Sequence, residues 1–331
     1  MIEATQPAEP KSPRKIKVKW PQLDITITAL MKENVNQRLI NLLFEHLPYR
    51  SLQNHALVSG DHLYHLVPSE GLIVMPDRTT EADGTVFLSG LQHLAIKYGP
   101  LSEYLPAAPC GNIIPEDVKK FKIAGSQVWA ACTKTKQIIE AIVWDASMPE
   151  PSAHLPLRLE RIGVNNDMKD LAQRIHDETE LSCSRISPDL ETVHNGLCHS
   201  LAGCKGSCFA TMVFINGETR PLGYNILNNI LAIAANQPHF DLSHLIPLYR
   251  VFATIPAEFV GYTGATFLCS THGQIDALIS ARVETNPNTN QARADFLAMI
   301  SAFARYVNLL NAQNLHLFPW KHAVEYQTQL N

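Results

Sequence analysis

The chain has 331 residues, 46% of them apolar, and a formal net charge of −4. This length is large for one domain and suits two, and the weak negative charge argues against nucleic acid or an anionic membrane as a main partner. Seven cysteines are too few for a small disulfide-stapled secreted domain. The N-terminal segment lacks the apolar core of a signal peptide, and no run of about 18 apolar residues predicts a membrane span. We therefore expect a cytoplasmic protein with reduced thiols.

The N-terminal half is predicted to be rich in β-strands. Residues 1–14 are polar and contain several prolines, which is typical of a disordered tail. From residue 15 to residue 147, alternating and short apolar segments separated by turn residues predict strands. The predicted strands cover residues 15–20, 24–30, 53–58, 63–67, 85–88, 94–98 and 137–144.

Two helices interrupt these strands. Leu39, Leu42, Leu43 and Leu47 share one face of a predicted helix over residues 36–47. Pro115 and the two acids after it predict the start of a second helix, over residues 115–132. Many short strands with two helices favour a closed or nearly closed barrel over a parallel doubly wound sheet.

The C-terminal half is predicted to be a helical bundle. Residues 148–156 carry three prolines and are predicted to form a linker, so that the second domain covers residues 157–331. Apolar residues then recur every three to four positions, which predicts helices. These cover residues 166–179, 221–235, 242–254, 271–283 and 291–311, whereas residues 193–216 are expected to be partly extended. The fold class is therefore α+β, a β-barrel domain followed by an all-α bundle.

A cluster of thiols and imidazoles invites comparison with zinc sites. His194, Cys198, His199, Cys204 and Cys208 lie within fifteen residues, and Cys and His are the common zinc ligands. Their spacing matches no common zinc module, because the cluster contains no CxxC pair. We interpret them as buried or interfacial residues near a glycine-rich turn.

A second metal hypothesis involves Asp61, His62 and His65, two imidazoles and a carboxylate. Residues three apart on a strand point to opposite faces. His62 and His65 are therefore expected to diverge, and we predict no metal site there.

Polar residues crowd the middle of the barrel domain and could line a catalytic pocket. The first series contains Arg50, His55, Ser59, Asp61, Tyr64 and Arg78, and the second contains Lys97, Tyr98 and Glu103. Arginine binds carboxylates bidentately, and a glutamate in a loop can act as a general base. The alternative is that these residues form an ordinary solvated edge, since most charged side chains are simply exposed. No GxGxxG, GxxxxGK[ST], HExxH or GxSxG motif occurs, so dinucleotide, nucleotide-hydrolysing, zincin and α/β-hydrolase functions lose support.

Four segments resemble the cucumopine synthase family. LPYRSLQNHALVSGD (47–61), KYGPLSEYLP (97–106) and the helix at 115–131 resemble its cyclophilin-like domain, and GETRPLGY (217–224) resembles the bundle of the full-length synthases. The resemblance implies that L-histidine condenses with 2-oxoglutarate in a Pictet–Spengler-type reaction, giving cucumopine or its stereoisomer mikimopine. No hydride moves, so neither NAD(P)H nor any other cofactor is implied, in agreement with the absence of GxGxxG.

The resemblance also suggests roles for the polar residues. The substrates bring three carboxylates, for which Arg50, Arg78 and Lys97 are candidate partners, with Ser59 beside them. One group must serve as both acid and base, and Glu103, His55 and Asp61 are the candidates. Tyr64 or Tyr98 could pass protons or orient the imidazole.

Two other functions are left open. Cyclophilins, which share the barrel, are prolyl isomerases, although their closely spaced arginine, aromatic and glutamine signature is not found here. A non-catalytic module that binds a dicarboxylate or amino acid would have much the same sequence. Apolar bundle faces would also allow a homo-oligomer.

Overall fold

A computed structural model describes residues 13–70, 82–89, 92–102, 107–152, 154–195, 197, 208–285, 287 and 289–317. A nearly closed antiparallel barrel is followed by a helical bundle, which confirms the predicted fold class. The strands are β1 Lys15–Trp20, β2 Ile25–Met31, β3 Tyr49–Leu52, β4 Asn54–His55, β5 Gly60–Leu66, β6 Thr85–Ser89, β7 His93–Leu101, β8 Ala107–Ile113 and β9 Glu140–Asp145.

The nine strands of the described ranges form one sheet in the order β3-β9-β1-β2-β8-β6-β7-β5-β4, and every pair is antiparallel. The two ends of this sheet, β3 and β4, are joined by the single residue Gln53. Its backbone N–H donates to Ile139 O (2.8 Å) beside β9, and its side-chain Nε2 donates to Tyr64 O (2.9 Å) on β5. Gln53 therefore holds the two ends of the sheet together and nearly closes the barrel.

Gln53 is also the centre of a buried polar network. Its Oε1 accepts a hydrogen bond from Trp20 Nε1 (2.8 Å) and lies 3.1 Å from Nδ1 of His65. The other imidazole nitrogen, Nε2, lies 3.0 Å from Tyr49 Oη. Because an amide oxygen only accepts, His65 carries its proton on Nδ1, and Nε2 accepts from Tyr49. Each of these buried polar groups thus has a partner, as the low dielectric of the interior demands.

Two helices belong to the barrel domain, α1 Glu33–Glu45 and α2 Val118–Ala130, and a π-helical turn, Ala131–Thr135, continues the second. Helix α2 fills the barrel through Phe121, Ala124 and Val128, which are fully buried. Arg14, predicted to belong to the polar tail, instead contacts this domain: its Nε lies 2.7 Å from Glu33 Oε1, and its guanidinium lies 4.4 Å above the Phe44 ring.

The bundle surrounds one long helix. Its helices are α3 Asn166–Ser182, α4 Pro188–His194, α5 Cys208–Arg220, α6 Asn228–Asn236, α7 Leu242–Tyr262, α8 Thr266–Leu278 and α9 Asn290–Leu317. A π-helical turn, Pro221–Leu227, joins α5 to α6, and another, Ile279–Val283, extends α8. Most of α9 is buried on all sides, which is typical of a helix at the centre of a bundle. No helix within the described ranges has both the length and the hydropathy to cross a membrane.

Several elements differ from their predictions. The strand predicted at 53–58 is replaced by β3 and β4, and β8 was not predicted because its sequence, AAPCGNI, contains proline and glycine. Helices α4 and α5 occupy parts of the segment around 193–216 that was expected to be partly extended. Helix α7 continues past residue 254 through Pro256, because Ala257 and Val260 are buried in the core. Tertiary packing there outweighs the cost of an interior proline.

Replacing Gln53 with alanine should lower the free energy of unfolding by about 2–4 kcal/mol, because it leaves the buried Trp20 Nε1–H and His65 Nδ1–H without acceptors. Urea unfolding followed by circular dichroism measures the change. Gln127, an exposed residue on α2, provides the matched control, and Gln127→Ala should be nearly neutral. Equal stability of the two variants would show that Gln53 does not close the barrel.

Stability should fall as the pH is lowered from neutral. Burial lowers the pKa of His65 to about 3 and that of His316 to about 4, from 6.5. At pH values between these pKa values and 6.5, both histidines bind a proton in the unfolded chain but not in the folded chain. Each of the two histidines therefore lowers the free energy of unfolding by up to about 1.4 kcal/mol for every pH unit of acidification. Urea titrations near pH 7 and near pH 5.5 should show this loss, and His65→Gln should reduce it. A His65→Gln slope equal to that of the wild type would contradict the assignment.

Candidate functional site

Three aromatic rings pack together where the outer face of the barrel meets the bundle. Tyr64 on β5 and His93 on β7 have ring centroids 4.6 Å apart. Tyr224, in the π-helical turn between α5 and α6, lies edge-on to His93 at 5.6 Å, and its Oη is 3.0 Å from His93 Nε2. We call these three residues the aromatic cluster. It brings an imidazole and two phenols together across the two domains.

Both phenols of the aromatic cluster are protonated at neutral pH. Burial raises the pKa of both Tyr64 and Tyr224, and the nearby Arg220 only partly offsets it. The Tyr224 O–H can therefore donate to His93 Nε2 when that nitrogen carries no proton.

A cleft lies near the aromatic cluster, between the domains, and its open space is about 580 Å³, counted with the solvent at its mouth. Gln92, next to His93, lines it, and so does Asn308, which packs against Gly223 next to Tyr224. We call the cleft and the aromatic cluster together the interdomain seam. Its charged lining residues are Arg50, Glu70, Glu160 and Arg305.

Arg50 joins the two domains at the cleft. Its side chain is 3% exposed. Nη1 lies 2.5 Å from Glu140 Oε1 on β9, Nη2 bonds Glu180 Oε1 on α3, and Nε donates to Leu155 O at 2.9 Å. The guanidinium predicted to bind a substrate carboxylate is thus bonded to two carboxylates of the protein itself, and its role in substrate binding stays a prediction.

Other polar groups in the cleft are less completely bonded. Glu70 is paired with Arg161 (2.6 Å) and accepts from Ser301 Oγ (2.5 Å). By contrast, Glu160 Oε1 and Asn308 Oδ1 are buried without a hydrogen-bond partner in the part of the chain that is described. Arg305 donates through Nη1 to the Arg158 carbonyl, and burial lowers the pKa of its guanidinium. A bound anion would stabilise this half-buried cation.

A separate recess lies at the mouth of the barrel beside α2. His55, Asp61, Tyr98 and Trp129 line it, together with Leu57 and Val58. His55 Nδ1 is 2.6 Å from the Ala56 carbonyl and Nε2 is 2.5 Å from Tyr98 Oη. A carbonyl only accepts, so His55 is protonated at Nδ1 and accepts the Tyr98 proton at Nε2. We call this site the barrel-mouth recess.

The recess holds an acid–base pair in its uncharged form. Burial lowers the pKa of His55, with the Asp61 carboxylate acting weakly in the opposite direction. Burial and then the Asp61 charge raise the pKa of Tyr98 to about 12. At neutral pH the imidazole is therefore neutral and the phenol is protonated.

Strand geometry separates the recess from the seam. Leu94, Ile96 and Tyr98 of β7 pack with the barrel core, whereas Ala95 packs with Tyr64 on the outer face. Successive side chains of a strand point to opposite faces, so His93 lies on the outer face and Tyr98 on the inner one. Of the predicted catalytic residues, His55 and Asp61 thus meet Tyr98 in the recess, and Tyr64 lies on the other side of the sheet.

The remaining predicted residues lie elsewhere. Lys97 Nζ is 2.6 Å from Asp83 Oδ1. Ser59 is buried, and its carbonyl accepts from Ser102 N at 3.1 Å. Arg78 and Glu103 lie outside the described residues.

The structure describes only part of the first candidate metal cluster and all three residues of the second. His194 Nε2 is 3.1 Å from Asn314 Oδ1, while Cys198 and Cys204 lie outside the described residues. His65 faces the barrel interior towards Tyr49, and His62 shares the outer face with Tyr64, its ring centroid 6.2 Å away. These two imidazoles therefore diverge, as predicted from their spacing.

Sequence reasoning missed His93, Tyr224 and Arg305. His93 precedes a predicted strand, and Tyr224 falls inside a predicted helix, so neither stood out. They are 131 positions apart, and only the docking of the bundle on the barrel brings them together.

Comparison with known proteins agrees with this architecture. Residues 168–317 match the cucumopine synthase C-terminal helical bundle domain. The solved structure of McbB in complex with tryptophan is 41% identical, covers 94% of this chain and 99% of its own, and superposes with a TM-score of 0.84. The solution structure of the hypothetical protein AF2241 from Archaeoglobus fulgidus is only weakly similar, with 10% identity and a TM-score of 0.31 over 42% of this chain and 99% of its own.

No curated protein matched the sequence. The match to the bundle domain and the extensive identity to McbB nevertheless agree, and on these grounds the chain belongs to the cucumopine synthase family, to which McbB is related.

Proposed function

We propose that this protein is a Pictet–Spengler-type enzyme that condenses L-histidine with 2-oxoglutarate, without NAD(P)H, to cucumopine or mikimopine. Membership of the cucumopine synthase family supports the reaction type. The observation that carries the proposal is the His93–Tyr224 pair, held between the domains beside a cleft with a buried guanidinium. Free thiols at Cys110, Cys132 and Cys183 fit a reducing compartment such as the cytoplasm.

The reaction sets definite demands on a site. The neutral α-amine attacks the keto carbon, and the resulting carbinolamine loses its hydroxyl as water to give an imine. A carbon of the imidazole ring then attacks the imine carbon, the imine nitrogen takes up a proton, and the ring carbon loses one. One water leaves and no electrons are exchanged with a cofactor. The enzyme must therefore hold two molecules in contact and move protons both ways.

The His93–Tyr224 pair can move those protons. The imidazole of His93 can act as a base for the α-ammonium group when Tyr224 does not donate to it, and the phenol, or the imidazolium formed in the first step, can act as an acid for the departing hydroxyl. The same imidazole can later accept the ring proton. Tyr64, stacked at 4.6 Å from His93, extends the aromatic surface on which a heteroaromatic ring would lie.

The cleft beside the cluster can hold the carboxylates. Arg305 is a partly exposed cation that lines the cleft and makes one hydrogen bond in the described part of the chain, and a carboxylate would satisfy its remaining donors. The bundle, which matches a synthase domain, supplies two residues of the proposed site, Tyr224 and Arg305. A role of the bundle in the reaction would therefore be direct. Glu103, His55 and Asp61 remain alternative acid–base candidates, and Arg78 and Lys97 remain candidate carboxylate ligands.

A second amine substrate is favoured by one observation. McbB, 41% identical over 94% of this chain, has been solved with tryptophan bound. An indole carbon can attack an imine as the imidazole carbon does, and the aromatic cluster would stack on either ring. L-Tryptophan is therefore the alternative amine, and a site that binds these amino acids without turnover is the remaining possibility.

Incubating the purified protein with 2-oxoglutarate and either L-histidine or L-tryptophan, without NAD(P)H, tests the reaction. The expected product has the summed mass of the two substrates less one water. If product forms with L-tryptophan but not with L-histidine, the proposed reaction type holds and the proposed amine substrate is wrong. If both amines bind but neither gives product, the protein is a binding module and not an enzyme of this reaction. If product forms only with NAD(P)H, the redox-neutral condensation is excluded.

Two conservative variants test the acid–base pair. His93→Gln and Tyr224→Phe should each lower turnover by roughly 10²–10⁴-fold, because a proton carrier is lost, while the melting temperature changes little. His154→Gln and Tyr262→Phe, both at exposed positions, are the matched controls and should keep wild-type rates. Near-normal turnover of both seam variants would remove the pair from the mechanism and return the role to Glu103, His55 or Asp61.

A further inference from the structure

Among the residues that the structure describes, Asp61 is the one charged residue that lines the barrel-mouth recess. Its carboxylate accepts no hydrogen bond within the described part of the chain, although Tyr98 and His55 are near enough to feel its charge. A half-buried carboxylate without a bonded cation favours a positively charged ligand.

Two glycines shape the recess. A Cβ on Gly99 would collide with the carboxylate of Asp61, and a Cβ on Gly125 would come within 2.6 Å of Tyr98 Cε1. Because Gly99 has no side chain, Asp61 can lie against strand β7. Because Gly125 has no side chain, the Tyr98 ring can lie against helix α2. The positions of the carboxylate and of one aromatic wall are thus both built into the fold.

The walls suit an organic cation. The ring centroids of Trp129 and Tyr98 lie 4.7 Å and 5.6 Å from that of His55. Aromatic faces attract ammonium groups through their negative quadrupole, and Leu57 and Val58 add apolar surface. His55 is neutral at neutral pH and does not compete with the ligand for the Asp61 charge.

We propose that the barrel-mouth recess is a second small-molecule site, which binds an organic monocation that carries an ammonium group on an apolar or aromatic frame and has no carboxylate. Asp61 pairs with the ammonium group, Trp129 and Tyr98 enclose it, and the uncharged pair of His55 and Tyr98 forms the floor. Carboxylates are disfavoured, because Asp61 repels them and no cationic side chain of the described ranges lines the recess. The inference goes beyond the proposed condensation, whose substrates all carry carboxylates.

Three ligands of similar shape test the charge preference: benzylammonium, benzyl alcohol and phenylacetate. Calorimetric titration of the full chain near pH 7 should give benzylammonium an affinity at least about tenfold above the other two. Labelling histidine Cε1 with ¹³C shows where the ligand binds, because the His55 resonance, assigned with His55→Gln, should shift on titration. Equal affinity for the alcohol, preference for phenylacetate, or no shift of the His55 resonance would each overturn the proposal.

The isosteric variant Asp61→Asn should weaken benzylammonium binding by about tenfold and leave benzyl alcohol binding unchanged. Asp170→Asn, at an exposed position on α3, is the matched control and should bind like the wild type. Unchanged benzylammonium affinity of a folded Asp61→Asn protein would refute the site. If that variant does not fold, the ligand comparison on the wild type decides the question alone.

Discussion

The relation between the two domains depends on one buried guanidinium. Arg50, on the barrel, bonds Glu140 of the same domain, Glu180 of the bundle and the backbone of the segment between them. Glu180 in turn accepts from Leu157 N at 2.6 Å. A buried ion of this kind contributes little net stability beside an apolar alternative, but losing one partner leaves an uncompensated charge. Arg50 therefore contributes little net stability to the interface between the domains, but it restricts how the barrel and the bundle can dock.

The way the two domains dock positions the residues of the proposed site. The aromatic cluster and the cleft exist only where the two domains meet, since each domain supplies part of the lining. The barrel-mouth recess, by contrast, is contained within the first domain. The two-residue period of β7 assigns His93 to the first site and Tyr98 to the second. One strand thus contributes side chains to two different sites. The described lining of the first carries both guanidinium groups and carboxylates, and that of the second carries the Asp61 carboxylate.

Local patterns were sufficient to predict much of the fold. Alternation at Lys15–Trp20 and helical spacing in α3 and α9 marked their elements, because burial of one face leaves a period in the sequence. Strand β8 left no such period. The site was less predictable: His55, Asp61 and Tyr98 do meet, but Arg50 looked like a free cation because its partners lie 90 and 130 positions away. Tyr224 and His93 could not be paired without knowing how the domains dock.

The π-helical turn Pro221–Leu227 has a consequence for how this family can change. The hydrogen bonds of such a turn span one residue more than those of an α-helix, and such turns are frequent at functional sites. In a regular α-helix each residue turns about 100° around the axis. Loss of a single codon here would straighten the path from α5 to α6 and swing Tyr224 away from His93, while the apolar core on either side could repack. The seam would then lose its phenol without any change to the residues that hold the domains together, so the position of Tyr224 depends on the length of this helix as well as on the identity of its side chains.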